Sequence, residues 1–329
     1  GVRLVFRTDS PVIELDLMEM GLQAVGSPRR PVTFDLRIDG ALVDRQAVTA
    51  GGTVMLDQSA RPPRAWIEQG TPSTLRFANL PAGSNEIEIW LPQSASTELR
   101  ALRLAEGASL ERVVSTRRRW AHYGSSISHG MEASGPSETW PAVAARLAGV
   151  DLVPLGFAGQ CQLDSLVART LRDSDADLIS LKLGINVINV DAMRERVFVP
   201  AVHGFLDTIR DRKPDTPILV VSPIICPVAE AHPGPTLAGE VEVRIVERPA
   251  DLNPGALSLQ RVRQLLSSIV ERRRAGGDRN LYYLDGLDLF GEADVADLPD
   301  GLHPNAAGLV RLGERFAERA FGSKGPLAV

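Results

Sequence analysis

The chain is poor in aromatic residues, cysteine and histidine, and it has no long apolar run. Phe, Trp and Tyr make up 5% of its 329 residues, beside two cysteines and five histidines. Cys161 and Cys226 cannot build a disulfide framework. Two buried free thiols are expected, with a single bridge as the alternative. No apolar stretch reaches the ~18–20 residues of a membrane span, so no membrane partner is expected. Lysine is scarce: Lys182, Lys213 and Lys324 are the only lysines among 36 basic residues. A net charge of −5 lacks the basic footprint of a nucleic-acid binder. The CxxC, HExxH, P-loop and GxGxxG patterns are all missing. No two of His122, His129, His203, His232 and His303 stand at metal-ligand spacing. Neither a metal nor a bound cofactor is expected. The start, Gly1-Val2-Arg3-Leu4, carries no signal-peptide pattern. A cytoplasmic location is the first expectation and secretion the second.

What is present divides into two halves. Up to about residue 105 apolar and polar residues alternate, as in Ile13-Glu14-Leu15-Asp16-Leu17, Phe34-Asp35-Leu36-Arg37-Ile38 and Glu86-Ile87-Glu88-Ile89-Trp90. Alternation buries one face of a strand and wets the other, as antiparallel strands of a β-sandwich do. Turn signals at Asp39-Gly40, Gly51-Gly52, Pro62-Pro63 and Pro81-Ala82-Gly83 separate the runs. Residues 1–110 therefore read as an all-β sandwich.

Beyond a basic stretch at 112–119 the pattern changes. Apolar runs at 152–157, 178–183, 218–224 and 281–284 alternate with amphipathic segments around 143–147, 202–209, 259–270 and 306–316. Strands buried on both faces, alternating with helices, predict a parallel sheet wrapped in helices. In such sheets the reactive site lies at the carboxyl ends of the strands.

Four strand-end segments carry candidate chemistry. In Asp300-Gly301-Leu302-His303, a carboxylate three residues before a histidine can fold onto Nδ1 and leave Nε2 as a base. A helix-capping Asp beside a surface histidine is the bland alternative. Tyr123-Gly124-Ser125-Ser126 stands where a nucleophile belongs, although a plain Ser/Gly loop would read the same way. It is not the GxSxG elbow of α/β-hydrolases. Gly159, in Leu155-Gly156-Phe157-Ala158-Gly159, offers an unhindered backbone N–H. Asn186, in Leu183-Gly184-Ile185-Asn186, offers an amide donor. A tight turn explains either residue alone; together they supply parts of an oxyanion hole.

In order and position these segments resemble the SGNH (GDSL) hydrolase superfamily over residues 117–322. Ser126 matches its block I nucleophile, Gly159 its block II glycine and Asn186 its block III asparagine, with Asp300 and His303 its Asp-x-x-His. The resemblance implies a flavodoxin-like α/β domain and a triad of Ser126, His303 and Asp300. It also implies oxyanion donors from the Ser126 and Gly159 N–H groups and the Asn186 side chain. The two-part build resembles GDSL enzymes whose front module is a jelly-roll-like, carbohydrate-binding-module-like sandwich. Two departures stand out. The family's Gly-Asp-Ser is Gly124-Ser125-Ser126 here, and its Gly-x-Asn-Asp is Gly184-Ile185-Asn186-Val187. Neither missing aspartate is the triad acid. Their loss makes the site less negative and drier, which favours an alcohol over water as acyl acceptor.

The implied function is a serine esterase or O-acyltransferase working through an acyl-Ser126 intermediate on a small molecule or glycoside. Its partners would be a small-molecule acyl donor and water or an alcohol. A transferase could move an aryl or short acyl group from acyl-CoA, a co-substrate, to a natural-product hydroxyl. A non-catalytic glycan-binding protein is the rival of another class. Four lesser features complete the reading. Cys161 reads as a buried small residue, His129 as a helix-end hydrogen bonder and Arg117-Arg118-Arg119 as a solvated face or, less favoured, an anion contact. The Pro- and Gly-rich stretch 226–253, with His232, reads as a wall of the acyl pocket or as disorder.

Overall fold

The computed structural model describes residues 2–57, 59–239 and 242–329. These fall into two compact units, Gly1–Thr116 with Gly135–Ser137, and Arg117–Ser134 with Glu138–Val329.

The first unit consists of strands β1 (Arg3–Thr8), β2 (Val12–Ala24), β3 (Val32–Ile38), β4 (Ala41–Val48), β5 (Gly52–Asp57), β6 (Arg64–Glu68), β7 (Ser73–Ala78), β8 (Asn85–Trp90), β9 (Ala95–Leu104) and β10 (Glu111–Arg112). One sheet runs β10-β1-β8-β3-β4. In the other, β2 is flanked by β9 on one side and by β7 and the β5–β6 pair on the other. The inward residues of both sheets, among them Ile13, Leu15, Leu17, Phe34, Leu36, Phe77, Ile87 and Ile89, share one buried cluster. These are the apolar positions of the alternating runs. One pairing departs from the expected antiparallel pattern: β2 and β5 run parallel, from Met20↔Gly52 to Ala24↔Leu56. The length of β2 explains it. Its first half pairs antiparallel with β7, and its second half reaches past that partner to β5.

The second unit is a five-stranded sheet in the order β12-β11-β13-β14-β17. Its strands are β11 (Arg119–Gly124), β12 (Asp151–Gly156), β13 (Leu178–Lys182), β14 (Ile218–Val221) and β17 (Leu281–Leu284), every pairing parallel. After β14 comes a two-stranded antiparallel hairpin, β15 (Thr236–Ala238) and β16 (Val243–Ile245). The helices are α1 (Ser126–His129), α2 (Trp140–Ala148), α3 (Ser165–Asp173), α4 (Ile185–Asn189), α5 (Glu195–Arg210), α6 (Leu259–Ala275) and α7 (Ala306–Phe316). Counted within the sheet, the order is 2-1-3-4-5, the flavodoxin-like arrangement. Its topological switch point, where ligands bind, lies between β11 and β13. Ser126 follows the first of these strands and Asn186 the second.

One face of this sheet packs on α3, α5 and α6 through Ala121, Tyr123, Ile179, Leu181, Val220 and their neighbours. On the other face four aromatic residues form a cluster. Phe316 of α7 stacks on Trp120 at 5.2 Å and 19°, with Trp140 at 5.0 Å and Phe321 at 5.6 Å. Each of these four side chains is buried. Phe316→Ala is expected to cost about 3–5 kcal/mol through lost contacts and the cavity left behind. Urea unfolding would read this as a lowered midpoint with an unchanged slope.

Candidate active site

Ser126 opens α1 directly after β11. Ser125 caps that helix, its Oγ accepting the Ile127 N–H at 3.4 Å. Ser126 Oγ lies 2.8 Å from His303 Nε2. His303 Nδ1 lies 2.6 Å from Asp300 Oδ2. The four-residue turn that joins them is closed by the same carboxylate: Asp300 Oδ1 accepts the N–H groups of Leu302 at 2.9 Å and His303 at 2.7 Å. Gly301 sits inside that turn with φ +74°, a conformation that favours glycine. Partial burial opposes charge on Asp300, but the His303 ring and the two backbone N–H groups outweigh it and hold its pKa at about 2. An ionised Asp300 fixes the proton of His303 on Nδ1, so Nε2 presents its lone pair to the Ser126 hydroxyl.

Asn186 lies in α4, beyond β13, and is 2% exposed. Its Oδ1 accepts the backbone N–H of Cys161 at 3.0 Å. That bond orients the amide, with Nδ2 as its donor end. It also ties the loop after β12 to the loop after β13. Gly159, two residues before Cys161, is exposed and left-handed at φ +72°. Both cysteines are free and buried. Burial raises the Cys161 thiol to about 12 and the Cys226 thiol to about 11, so neither is a nucleophile at neutral pH.

Sequence reasoning passed over His122. It is fully buried on β11, beneath α1, with Nδ1 2.7 Å from Ser180 Oγ and Nε2 2.8 Å from Ser128 Oγ. Trp120 Nε1–H donates to Ser180 Oγ at 2.8 Å, so one serine hydroxyl joins the indole to His122 Nδ1 while Nε2 meets Ser128 Oγ. Burial, and after it the Lys182 ammonium, lowers the His122 pKa to about 3. His122 is thus a neutral strut under the helix that Ser126 opens. A Cβ at Gly124 would stand 2.2 Å from Ser128 Oγ and 3.1 Å from His122 Nε2, so the close approach of α1 requires glycine there. The available signal was a histidine in an apolar strand two residues from Trp120, a pattern equally typical of a core position.

The remaining candidates fall apart from this group. His129 Nδ1 meets the Gly156 carbonyl at 3.1 Å, at the end of α1. The Arg119 side chain pairs with Asp175, and its backbone N–H donates to Asp177, at the amino end of β11, the opposite end from Ser126. His232 is exposed. Within the stretch 226–253 the short strands β15 and β16 form a hairpin; 240 and 241 lie outside the described residues. The two positions that depart from the family pattern, Ser125 and Val187, are buried, one capping α1 and the other packed in the core. No helix among the described residues is long and apolar enough to cross a membrane. Among the described residues no cluster of three or more His, Cys, Asp or Glu could hold a metal ion.

A parallel sheet with serine, amide and His–Asp pair at its carboxyl edge defines an SGNH-type enzyme, and the chain belongs to the GDSL-like lipase/acylhydrolase family. The family model matches residues 117–229. A search of curated proteins found no match. Among solved structures, the salicylyl-acyltransferase SsfX3 from a tetracycline biosynthetic pathway is 32% identical at a TM-score of 0.79, over 96% of this chain and 80% of that one. A GDSL-like lipase from Bacteroides ovatus ATCC 8483 is 22% identical at a TM-score of 0.67, over 96% and 82%. A family two carbohydrate esterase from Clostridium thermocellum, 14% identical at 0.67 over 98% and 92%, shares the fold. Membership in a family of esterases and acyltransferases sets aside the reading as a binding protein without catalysis.

Proposed function

We propose that this protein is a serine acyl-transfer enzyme working through an acyl-Ser126 intermediate. The observation that carries the reading is the unbroken hydrogen-bond line from Ser126 Oγ through His303 to Asp300. In the first half-reaction His303 Nε2 takes the Ser126 proton as Oγ attacks the acyl carbonyl. The oxyanion that forms is met by Asn186 Nδ2 and by the N–H groups of Ser126 and Gly159. Collapse breaks the bond to the leaving group, which receives the proton from His303. In the second half-reaction water or an alcohol gives its proton to His303 and takes the acyl group, restoring Ser126. Asp300 stays ionised throughout and stabilises the imidazolium. The two sheets of the first unit, with their shared core, support its reading as a jelly-roll-like sandwich.

Transfer to an alcohol is the second reading. It is favoured by the 32% identity to an acyltransferase along nearly the whole chain, and by the absence of both non-triad aspartates. Acyl-CoA is then a donor to test, as co-substrate and not as a resident cofactor.

A fluorophosphonate probe is expected to label the wild-type chain at Ser126 and to leave folded Ser126→Ala unlabelled. A label that persists at Ser125 or Ser128 would assign the wrong serine. Both are poor alternatives, because Ser125 is buried in its capping role and Ser128 is held by His122. Mass spectrometry after an activated acyl donor, with and without an acceptor alcohol, then separates hydrolysis from transfer.

A further inference from the structure

Lys182 ends β13 at the edge of the sheet where Ser126 and Asn186 stand. Strands β11 and β13 run in register as far as Tyr123↔Leu181, so Lys182 stands one step further on, beside Gly124. Strand alternation gives it the face of Ser180, whose Oγ meets Trp120 and His122. Leu181, between the two, packs in the core on the opposite face. The Lys182 side chain therefore leaves the sheet on the side that α1 covers, where a Cβ at Gly124 would stand 2.2 Å from Ser128 Oγ. Its backbone carbonyl accepts the Cys161 thiol at 3.5 Å, and the Cys161 N–H holds Asn186. Lys182 thus adjoins the helix that Ser126 opens and is tied, through Cys161, to the Asn186 amide.

This lysine is 2% exposed. Among the described residues its ammonium has no hydrogen-bond or ion-pair partner. The titratable and charged groups around it are His122 of β11, Cys161 after β12 and Arg263 of α6, and none is a carboxylate. Arg263 already holds Glu230 through two nitrogens, at 2.6 and 2.9 Å. Burial lowers Lys182 to about 8, a fall that Cys161 opposes and Arg263 deepens. A buried charge without a counter-ion is costly, and an apolar side chain of the same length would fill the space without that cost. The resting chain supplies no negative partner, but the proposed reaction creates one on the tetrahedral intermediate.

We infer that Lys182 places a positive charge beneath α1 that stabilises the oxyanion formed on the acyl carbonyl. The inference rests on the acyl-Ser126 reading, and it adds to that site a full charge that the Ser126, Gly159 and Asn186 donors do not carry. The role needs no contact with substrate, because a field inside a buried site is weakly screened. It also gives the neutral state of His122 a purpose. A second cation in the same buried layer would repel the first, and the Lys182 ammonium helps to keep that imidazole uncharged.

The test is the alkaline side of the pH profile of kcat/KM on p-nitrophenyl acetate, corrected for the rate without enzyme and kept to the range where circular dichroism shows the native fold. The favourable form of Lys182 is the protonated one, so the wild-type rate is expected to fall about tenfold as pH rises through about 8. Lys182→Met should start about tenfold lower at neutral pH and show no fall there. Lys182→Arg, which keeps its charge past about pH 12, should also lose the fall but stay faster than the methionine variant. A wild-type profile flat through pH 8 would overturn the inference whether or not either variant folds. So would a fall that persists unchanged in Lys182→Met, or a methionine variant as fast as the wild type. Fluorophosphonate labelling at neutral pH keeps the two ideas apart. A labelled wild-type chain with a flat profile removes only the role of Lys182, whereas a chain that takes no label removes the acyl-serine reading beneath it.

Discussion

Ser126→Ala and His303→Ala are each expected to lower kcat on an activated ester by on the order of 10⁴–10⁶-fold, and the double variant by no more than the worse single. Nucleophile and base act as one unit, so removing either leaves the other with nothing to do. Asp300→Asn keeps the shape but loses the charge that sets the His303 tautomer, and a drop of about 10⁴-fold is expected. The pH profile adds a second check. The ordinary Asp value is 3.8, and in the fold Asp300 is held at about 2. A carboxyl lowered on folding contributes stability above its unfolded value, which is lost as pH falls through about 2. Asp300 therefore stays charged across the working range, and a loss of kcat/KM at moderately acid pH is not its protonation. Multiplicative losses in the double variant, measured by steady-state kinetics, would contradict a single relay.

Asn186→Ala is the second large effect, on the order of 100–1000-fold in kcat with little change in KM. The donor meets charge that appears only in the transition state, so ground-state binding should be nearly indifferent to it. Because Asn186 Oδ1 holds the Cys161 N–H, alanine also leaves that buried donor unpaired. A thermal melt separates the two consequences, since lost stability lowers Tm without altering the kcat of molecules still folded. A loss confined to KM would make Asn186 a substrate-binding residue.

The parallel sheet and its strand-end residues were legible because their signals are side chains in order: apolar runs, then serine, glycine, asparagine and Asp-x-x-His. Contacts made by the backbone were not. The Cys161 N–H that orients Asn186 belongs to a residue rightly read as a buried thiol, and nothing in a cysteine advertises its amide. His122 was hidden for a related reason. Its partners Ser128 and Ser180 are six and 58 positions away, so their meeting depends on the register of β11 against β13. The β15–β16 hairpin escaped notice because three-residue strands in a Pro- and Gly-rich stretch carry no usable alternation. The parallel pairing of β2 with β5 was equally invisible, since alternation reports which face is wet and not which way a neighbour runs.

The preference for arginine over lysine bears on alkaline conditions. A guanidinium keeps its charge beyond pH 12, whereas an ammonium begins to lose it near 10. Arg210–Asp278, Arg263–Glu230 and Arg261–Glu195, which join separate segments of the second unit, all use arginine. Among the lysines, Lys182 is buried, and burial lowers it to about 8. As hydroxide rises, the cationic half of these ties persists while esters become more labile. These three ties therefore keep their cations at alkaline pH, whereas the buried Lys182 ammonium is expected to lose its proton at about pH 8.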